Sequence, residues 1–234
     1  KLHATPKKLQ DVPHATPYQA TQTPTNEVLM APFDAKNIYF RMYHNEGRPF
    51  NLADAGKISV FNEYFGGGMN SIVFQEMREA RGLAYSAGAV YTRPSKKSDK
   101  ESFFANIITQ NDKMGDCISE FHNILDTIPQ SEAAFNIAKD AVIKRLASQR
   151  VTKSSVIDRY FSMRELGFDY DINETIYKDV QRVTLQDIVN FEKSQAAGKP
   201  YRYMILGNDK ELDMKVLERI APVKKLTLED IFGY

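Results

Sequence analysis

The sequence predicts an α+β fold, a mostly antiparallel sheet covered on one face by helices. Three observations carry this reading. Strand-like segments come in adjacent pairs, 27–33 with 38–44 and 85–91 with 103–109. A long stretch of helical periodicity then precedes one late strand at 201–206. Strand and helix do not alternate one for one, which argues against a doubly wound parallel sheet. At 234 residues the chain is long enough for one large domain with a sizeable core.

The elements follow in order. Residues 1–26 carry Pro6, Pro13, Pro17 and Pro24 among Thr, Gln and Lys without apolar periodicity, so an extended linker is expected there. The domain proper is expected over 27–223, with a tail over 224–234. E-V-L-M-A-P-F and I-Y-F-R-M-Y-H read as strands. Leu52, Ala55, Ile58, Phe61 and Phe65 then recur at helical spacing, and Gly66, Gly67 and Gly68 end that helix. A second helix is expected over 70–81, closed by Gly82 in the position a left-handed cap favours.

Tyr85, Ala87, Ala89 and Tyr91 alternate as a strand, as do Phe103, Ala105, Ile107 and Thr109, and the polar loop between them predicts a long hairpin. Met114, Cys117, Phe121, Leu125 and Ile128 form a helical stripe, and a helix is expected from Ser131 to about Ser148. Further helices are expected over 154–166, 172–181, 184–195 and 210–220, the third opened by a capping pair, Thr184 and Asp187.

Composition narrows the function. A net charge of +1 argues against a phosphate-backbone binder, so no nucleic-acid partner is expected. No run approaches the roughly 18 apolar residues of a membrane span. One cysteine, Cys117 on an apolar stripe, excludes an internal disulfide framework and reads as a core thiol. The chain opens on Lys1 rather than Met and reads as part of something longer.

Motif searches remove the commoner chemistries. The glycine triplet fails as a dinucleotide fingerprint because Ser71 holds the third glycine's place, and no G-K-[ST] follows for a phosphate loop. His3, His14, His44 and His122 have no ligand partners at helical or hairpin spacing, and neither H-E-x-x-H nor H-x-x-E-H occurs. His44 and Glu46 make an H-x-E, but the deaminase pattern also needs paired cysteines. No serine stands in G-x-S-x-G.

The stretch 61–91 remains: helix, glycine break, helix, glycine cap, strand. Three glycines let a backbone come close to another helix or to a bound chain. Arg78 falls one turn before the helix end and Tyr85 opens the next strand, seven residues on and across a tight turn, projecting to the same side. A guanidinium and a phenol together offer donors suited to carbonyl oxygens. Read from the residues alone, a helix cap with a surface salt bridge explains the same pattern.

The run G-G-G-M-N-S-I-V-F-Q-E-M-R-E-A-R-G-L-A-Y closely resembles the non-catalytic half of the pitrilysin/insulinase family of zinc peptidases, which includes the mitochondrial processing peptidases. V-T-L-Q-D-I-V-N-F, from Val183, looks like that family's late helix start, and the element order over roughly 27–222 is compatible with it. The resemblance implies the metallohydrolase fold of the mitochondrial processing peptidases. It also implies a chamber of paired homologous domains, one carrying zinc on H-x-x-E-H and the other contributing an Arg and a Tyr to the substrate. Here those match Arg78 and Tyr85; Arg81, beside the Gly82 cap, reads as structural.

The resemblance therefore implies a half-enzyme, inactive alone, that binds peptide substrate through Arg78, Tyr85 and the backbone at Gly66, Gly67 and Gly68. Its helix at 51–65 has no histidine, so no cofactor is expected in this domain and zinc is expected in a partner domain. The expected partners are that zinc-bearing homologous domain, on the same chain or another, and a peptide. Some relatives keep the fold as non-peptidase core subunits, so a scaffold or assembly domain is the alternative. Family analogy implies a periplasmic or otherwise extracytoplasmic location.

Overall fold

The computed structural model describes Asp11, His14 and residues 19–234, so most of the expected linker, with His3, lies outside the described residues. The elements in chain order are β1 (Glu27–Pro32), β2 (Asn37–His44), α1 (Ala55–Phe65), α2 (Ile72–Phe74), β3 (Ser86–Thr92), β4 (Ser102–Gln110), α3 (Met114–Asp126) and α4 (Glu132–Ser148). There follow α5 (Val156–Leu166), α6 (Asn173–Val180), α7 (Leu185–Gln195), β5 (Arg202–Gly207), α8 (Met214–Glu218), β6 (Val223–Lys225) and α9 (Leu228–Phe232).

The strands form one six-stranded sheet in the order β3-β4-β2-β5-β1-β6. The three pairings from β3 to β5 are antiparallel, and the two that join β1 to β5 and β6 are parallel. The sheet is thus mostly antiparallel within an α+β fold, as expected. The late strand β5 sits between β1 and β2, so these sequence neighbours do not pair with each other.

Alternation sorts the strands into two faces. Ile38, Phe40 and Met42 of β2, Phe103, Ala105 and Ile107 of β4, and Tyr203 and Ile205 of β5 are all buried beneath the helices. The opposite face presents Tyr39 and Val90 to solvent and carries a cross-strand hydrogen bond from Arg41 Nε to Asn106 Oδ1 at 3.1 Å. In the helical layer α1 packs against α4, α6, α7 and β3. Its stripe ends in Phe61 and Phe65, stacked with centroids 5.1 Å apart, and Phe65 also meets Phe103 and Phe121. Each such buried ring contributes about 1.5–3 kcal/mol over an exposed one, which anchors the end of α1 to the sheet.

Two expectations change. The border at 223 falls inside β6, which pairs with β1 over Val28–Met30, and α9 follows with a Thr227–Asp230 capping box. A three-residue strand shows too little alternation to be read from sequence, and its partner lies nearly two hundred residues away. The helix expected over 70–81 is α-helical only at Ile72–Phe74 and continues as a π-helical turn over Gln75–Ala80. Hydrophobic spacing over so short a helix does not separate the two.

Candidate functional site

The site is built where α1 ends. None of the three glycines has a positive φ, so they are not there for left-handed backbone. They are there for space. A Cβ on Gly66 would overlap the backbone of Ala89, 2.7 Å from its Cα, and the Ala89 N–H donates to the Gly66 carbonyl at 3.3 Å. A Cβ on Gly67 would lie 2.6 Å from the Asn62 carbonyl oxygen. Gly68 is open, with only Glu63 Oε1 at 3.9 Å. Gly66 therefore seats the helix end on β3, Gly67 lies against the last turn of α1 itself, and Gly67 and Gly68 are both exposed beside it.

β3 is an edge strand, and α1 closes part of its free side. Asn62 Oδ1 accepts from the Tyr91 N–H at 2.7 Å while Asn62 Nδ2 donates to the Tyr91 carbonyl at 2.9 Å. The loop that follows is braced locally. Ser71 Oγ donates to the Gly68 carbonyl at 2.6 Å, and Gln75 Nε2 donates to the Met69 carbonyl, also at 2.6 Å.

The π-helical turn then carries Arg78. Such turns are rare and often stand at functional sites. The Met77 carbonyl accepts from both Leu83 N, at 2.8 Å, and Ala84 N, at 3.2 Å, and Gly82 adopts φ +57°, the left-handed cap expected there. Tyr85 N donates to the Ile108 carbonyl at 2.8 Å although Ile108 faces Ser86 in the ladder, so two residues oppose one at the start of β3. This local bulge re-aims the Tyr85 side chain. Tyr85 is 75% exposed.

Arg78 and Tyr85 meet. The guanidinium carbon of Arg78 lies 5.8 Å from the centre of the Tyr85 ring and 5.0 Å from that of Phe74, one helical turn back. The Arg78 ion pair is a loose one to its neighbour Glu79 at 3.6 Å. Arg81, by contrast, is held by Glu120 of α3 at 2.8 Å. A cation flanked by two rings keeps its N–H groups in its own plane, where carbonyl or carboxylate oxygens can be met. Phe74 was not picked out from the sequence; an aromatic four residues before an arginine on one helix is the signal that finds it.

The groups set aside at the sequence level are engaged elsewhere. His44 is buried with Nδ1 2.8 Å from the Pro200 carbonyl, and His122 Nε2 lies 2.9 Å from the Tyr203 hydroxyl. Burial lowers the pKa of both. Cys117 is a buried core thiol, pushed up to about 11 by burial. Among the described residues no group of three or more His, Cys, Asp or Glu is placed to hold a metal ion. On α1, Asn62 is spent on Tyr91 and Glu63 pairs with Arg145 at 2.6 Å, so the residues present do not fit a zinc ion.

A mixed sheet under a helical layer, with a first helix that carries no histidine, defines an α+β domain with no cluster of metal ligands among the described residues. The chain belongs to the peptidase M16 family, because residues 4–142, more than half of it, match the family described as the peptidase M16 inactive domain. An uncharacterized zinc protease of Mycobacterium tuberculosis is 27% identical over 154 residues, which are 64% of this chain and 34% of that protein. The chain thus spans about a third of the length of the curated relatives it matches.

Solved structures agree on the fold. The peptidase M16 inactive domain from Pseudomonas fluorescens superposes with a TM-score of 0.67 at 15% identity, over 83% of this chain and 46% of that one. The periplasmic protease PqqL from Escherichia coli gives 0.61 at 15% identity, over 85% of this chain and 22% of that one. At such identity the likeness is one of fold.

Proposed function

We propose that this chain is the non-catalytic half of a zinc metalloendopeptidase. In this reading it binds an extended peptide and completes the active site of a homologous domain that carries zinc on H-x-x-E-H. The observation that carries the reading is the exposed Arg78–Tyr85 pair, its cation and phenol gathered on one side of the strand entry. Tyr85 donates a hydrogen bond to a peptide carbonyl or to the oxyanion that develops on it, and Arg78 holds the neighbouring backbone. Gly68, open where Gly66 and Gly67 are filled by the chain itself, gives the peptide room to approach.

Among the described residues no group is placed to hold a metal ion, so in this reading metal and water activation belong to the partner domain. The peptide-binding domain expected over 27–223 is proposed to extend through β6 and α9, to Phe232. An extracytoplasmic location is part of the same proposal; a neighbour in fold, PqqL, is described as periplasmic.

The test is reconstitution with the zinc-bearing partner, followed by peptide hydrolysis for Arg78→Ala and Tyr85→Phe. Loss of one transition-state donor should lower the rate about 10²–10³-fold. Arg81→Ala, whose guanidinium serves Glu120, should leave the rate near wild type. Unchanged rates in both the Arg78 and Tyr85 variants would sink this reading and favour a scaffold domain of the same fold.

A further inference from the structure

We propose that Phe74 is a positioning residue, its ring fixing the Arg78 guanidinium beside Tyr85 so that the guanidinium edge faces the bound peptide. The inference rests on the peptide-binding reading of Arg78. Three observations lead to it. First, Arg78 has little else to hold it. Its side chain is half-exposed, and among the described residues its ion pair reaches only to the adjacent Glu79 at 3.6 Å, too long for a hydrogen bond.

Second, the two rings are not equivalent. Tyr85 is 75% exposed, whereas Phe74 is half-buried on a helix whose neighbouring Val73 and Met77 are fully buried. The guanidinium carbon is also closer to Phe74, at 5.0 Å, than to Tyr85, at 5.8 Å. Phe74 is the half-buried wall and Tyr85 the exposed one. Third, Phe74 stands at the junction between the α-helical turn and the π-helical turn that carries Arg78. The ring stands where the helix changes its hydrogen-bonding register, and so ties the arginine to the turn whose Ile72 and Val73 are buried in the core.

Stacking restricts the arginine without using its N–H groups, which an ion pair would occupy. A long, flexible side chain held this way loses less freedom when a peptide arrives. Phe74 would then act on peptide affinity through Arg78 without touching the peptide itself.

Kinetics of the chain assembled with its zinc-bearing partner test this. Phe74→Leu keeps an apolar side chain but removes the ring, and should raise KM for an extended peptide roughly three- to tenfold with kcat little changed. Phe74→Trp should restore the wild-type KM. In an Arg78→Ala background Phe74→Leu should add nothing, whereas a merely structural role would add its effect in full. A folded Phe74→Leu protein with wild-type KM, or an equal loss in the Arg78→Ala background, overturns the inference. An Arg78→Ala protein with wild-type kinetics overturns the peptide-binding reading first.

A second readout needs no partner and no activity. The chain has no tryptophan, so Phe74→Trp creates its only indole. If the guanidinium lies on that ring, adding Arg78→Ala shifts the emission of the indole. Identical spectra with and without Arg78 overturn the stack.

Discussion

Asn62 serves Tyr91 as a neighbouring strand would, its side-chain amide taking both the N–H and the carbonyl of that residue at 2.7 and 2.9 Å. One helical side chain thereby caps the open side of β3 at a position where an edge strand otherwise offers free backbone groups to any passing chain. It does so two residues from Ala89, whose N–H is taken by Gly66. The end of α1 seals this part of the edge, while Tyr85 and Arg78 stand at the strand's open beginning.

Asn62→Ala should therefore leave two partly buried backbone groups unpaired. The expected loss is about 1–3 kcal/mol in urea unfolding, with a greater tendency to associate through the exposed edge. An unchanged unfolding midpoint would mean that water satisfies Tyr91 equally well.

Gly66 and Gly68 should respond differently to a single methyl group. Gly66→Ala forces a Cβ into the Ala89 backbone, which cannot swing aside as a side chain can, and should cost roughly 1–3 kcal/mol or more. Gly68→Ala meets only the end of Glu63 at 3.9 Å and should shift stability by less than about 1 kcal/mol. Thermal melts of the two variants side by side check the contrast.

Glu101 is a buried carboxylate that ties the β3–β4 hairpin to the chain entering α1. It lies 3.1 Å from Arg48 Nη1 and accepts from the Tyr91 hydroxyl at 3.1 Å. Burial raises its pKa, and Arg48 opposes that shift. Glu101→Ala removes one of the two carboxylates on Arg48, which keeps Asp54, and leaves the Tyr91 hydroxyl to Gln195, so the expected loss is about 1–3 kcal/mol. Denaturant titration measures it, and a loss below about 1 kcal/mol would show the ion pair to be dispensable.

Glu192 gives stability a pH dependence. It is fully buried on α7, both carboxylate oxygens lack hydrogen-bond partners among the described residues, and burial, helped by the charge of Asp126, pushes it up to about 7 from 4.5. The folded protein therefore holds a proton that the unfolded chain releases near pH 4.5. The contribution is full below about pH 4.5 and is lost as pH rises through about 7. It amounts at most to about 3 kcal/mol. Glu192→Gln should flatten this slope between pH 5 and about 8 in urea unfolding series. A slope equal to that of the wild type would place the pH dependence elsewhere.

Much of the fold was readable because its signals are local. Alternation in β2 and β4, the apolar stripe of α1 and the capping box before α7 all depend on residues within a few positions of one another. The lack of histidine over 51–65 was equally plain, because it needs no neighbour to interpret it. The pairing of β5 between β1 and β2 was not readable, since it depends on which distant edges find each other. β6 was too short to show a period.

The site divides along the same line. By itself the sequence determined that this chain has an M16-type motif over 66–85 and no H-x-x-E-H to go with it. Tertiary structure decided how those residues are used. It spent Gly66 on Ala89, turned Arg81 to Glu120 and left Arg78 between Phe74 and Tyr85. The physical reason is range. Spacing records which residues share a helix face or a turn, whereas a helix end lying on a strand, an arginine claimed by a distant glutamate and a carboxyl sealed from water are set by contacts that close only when the chain has folded.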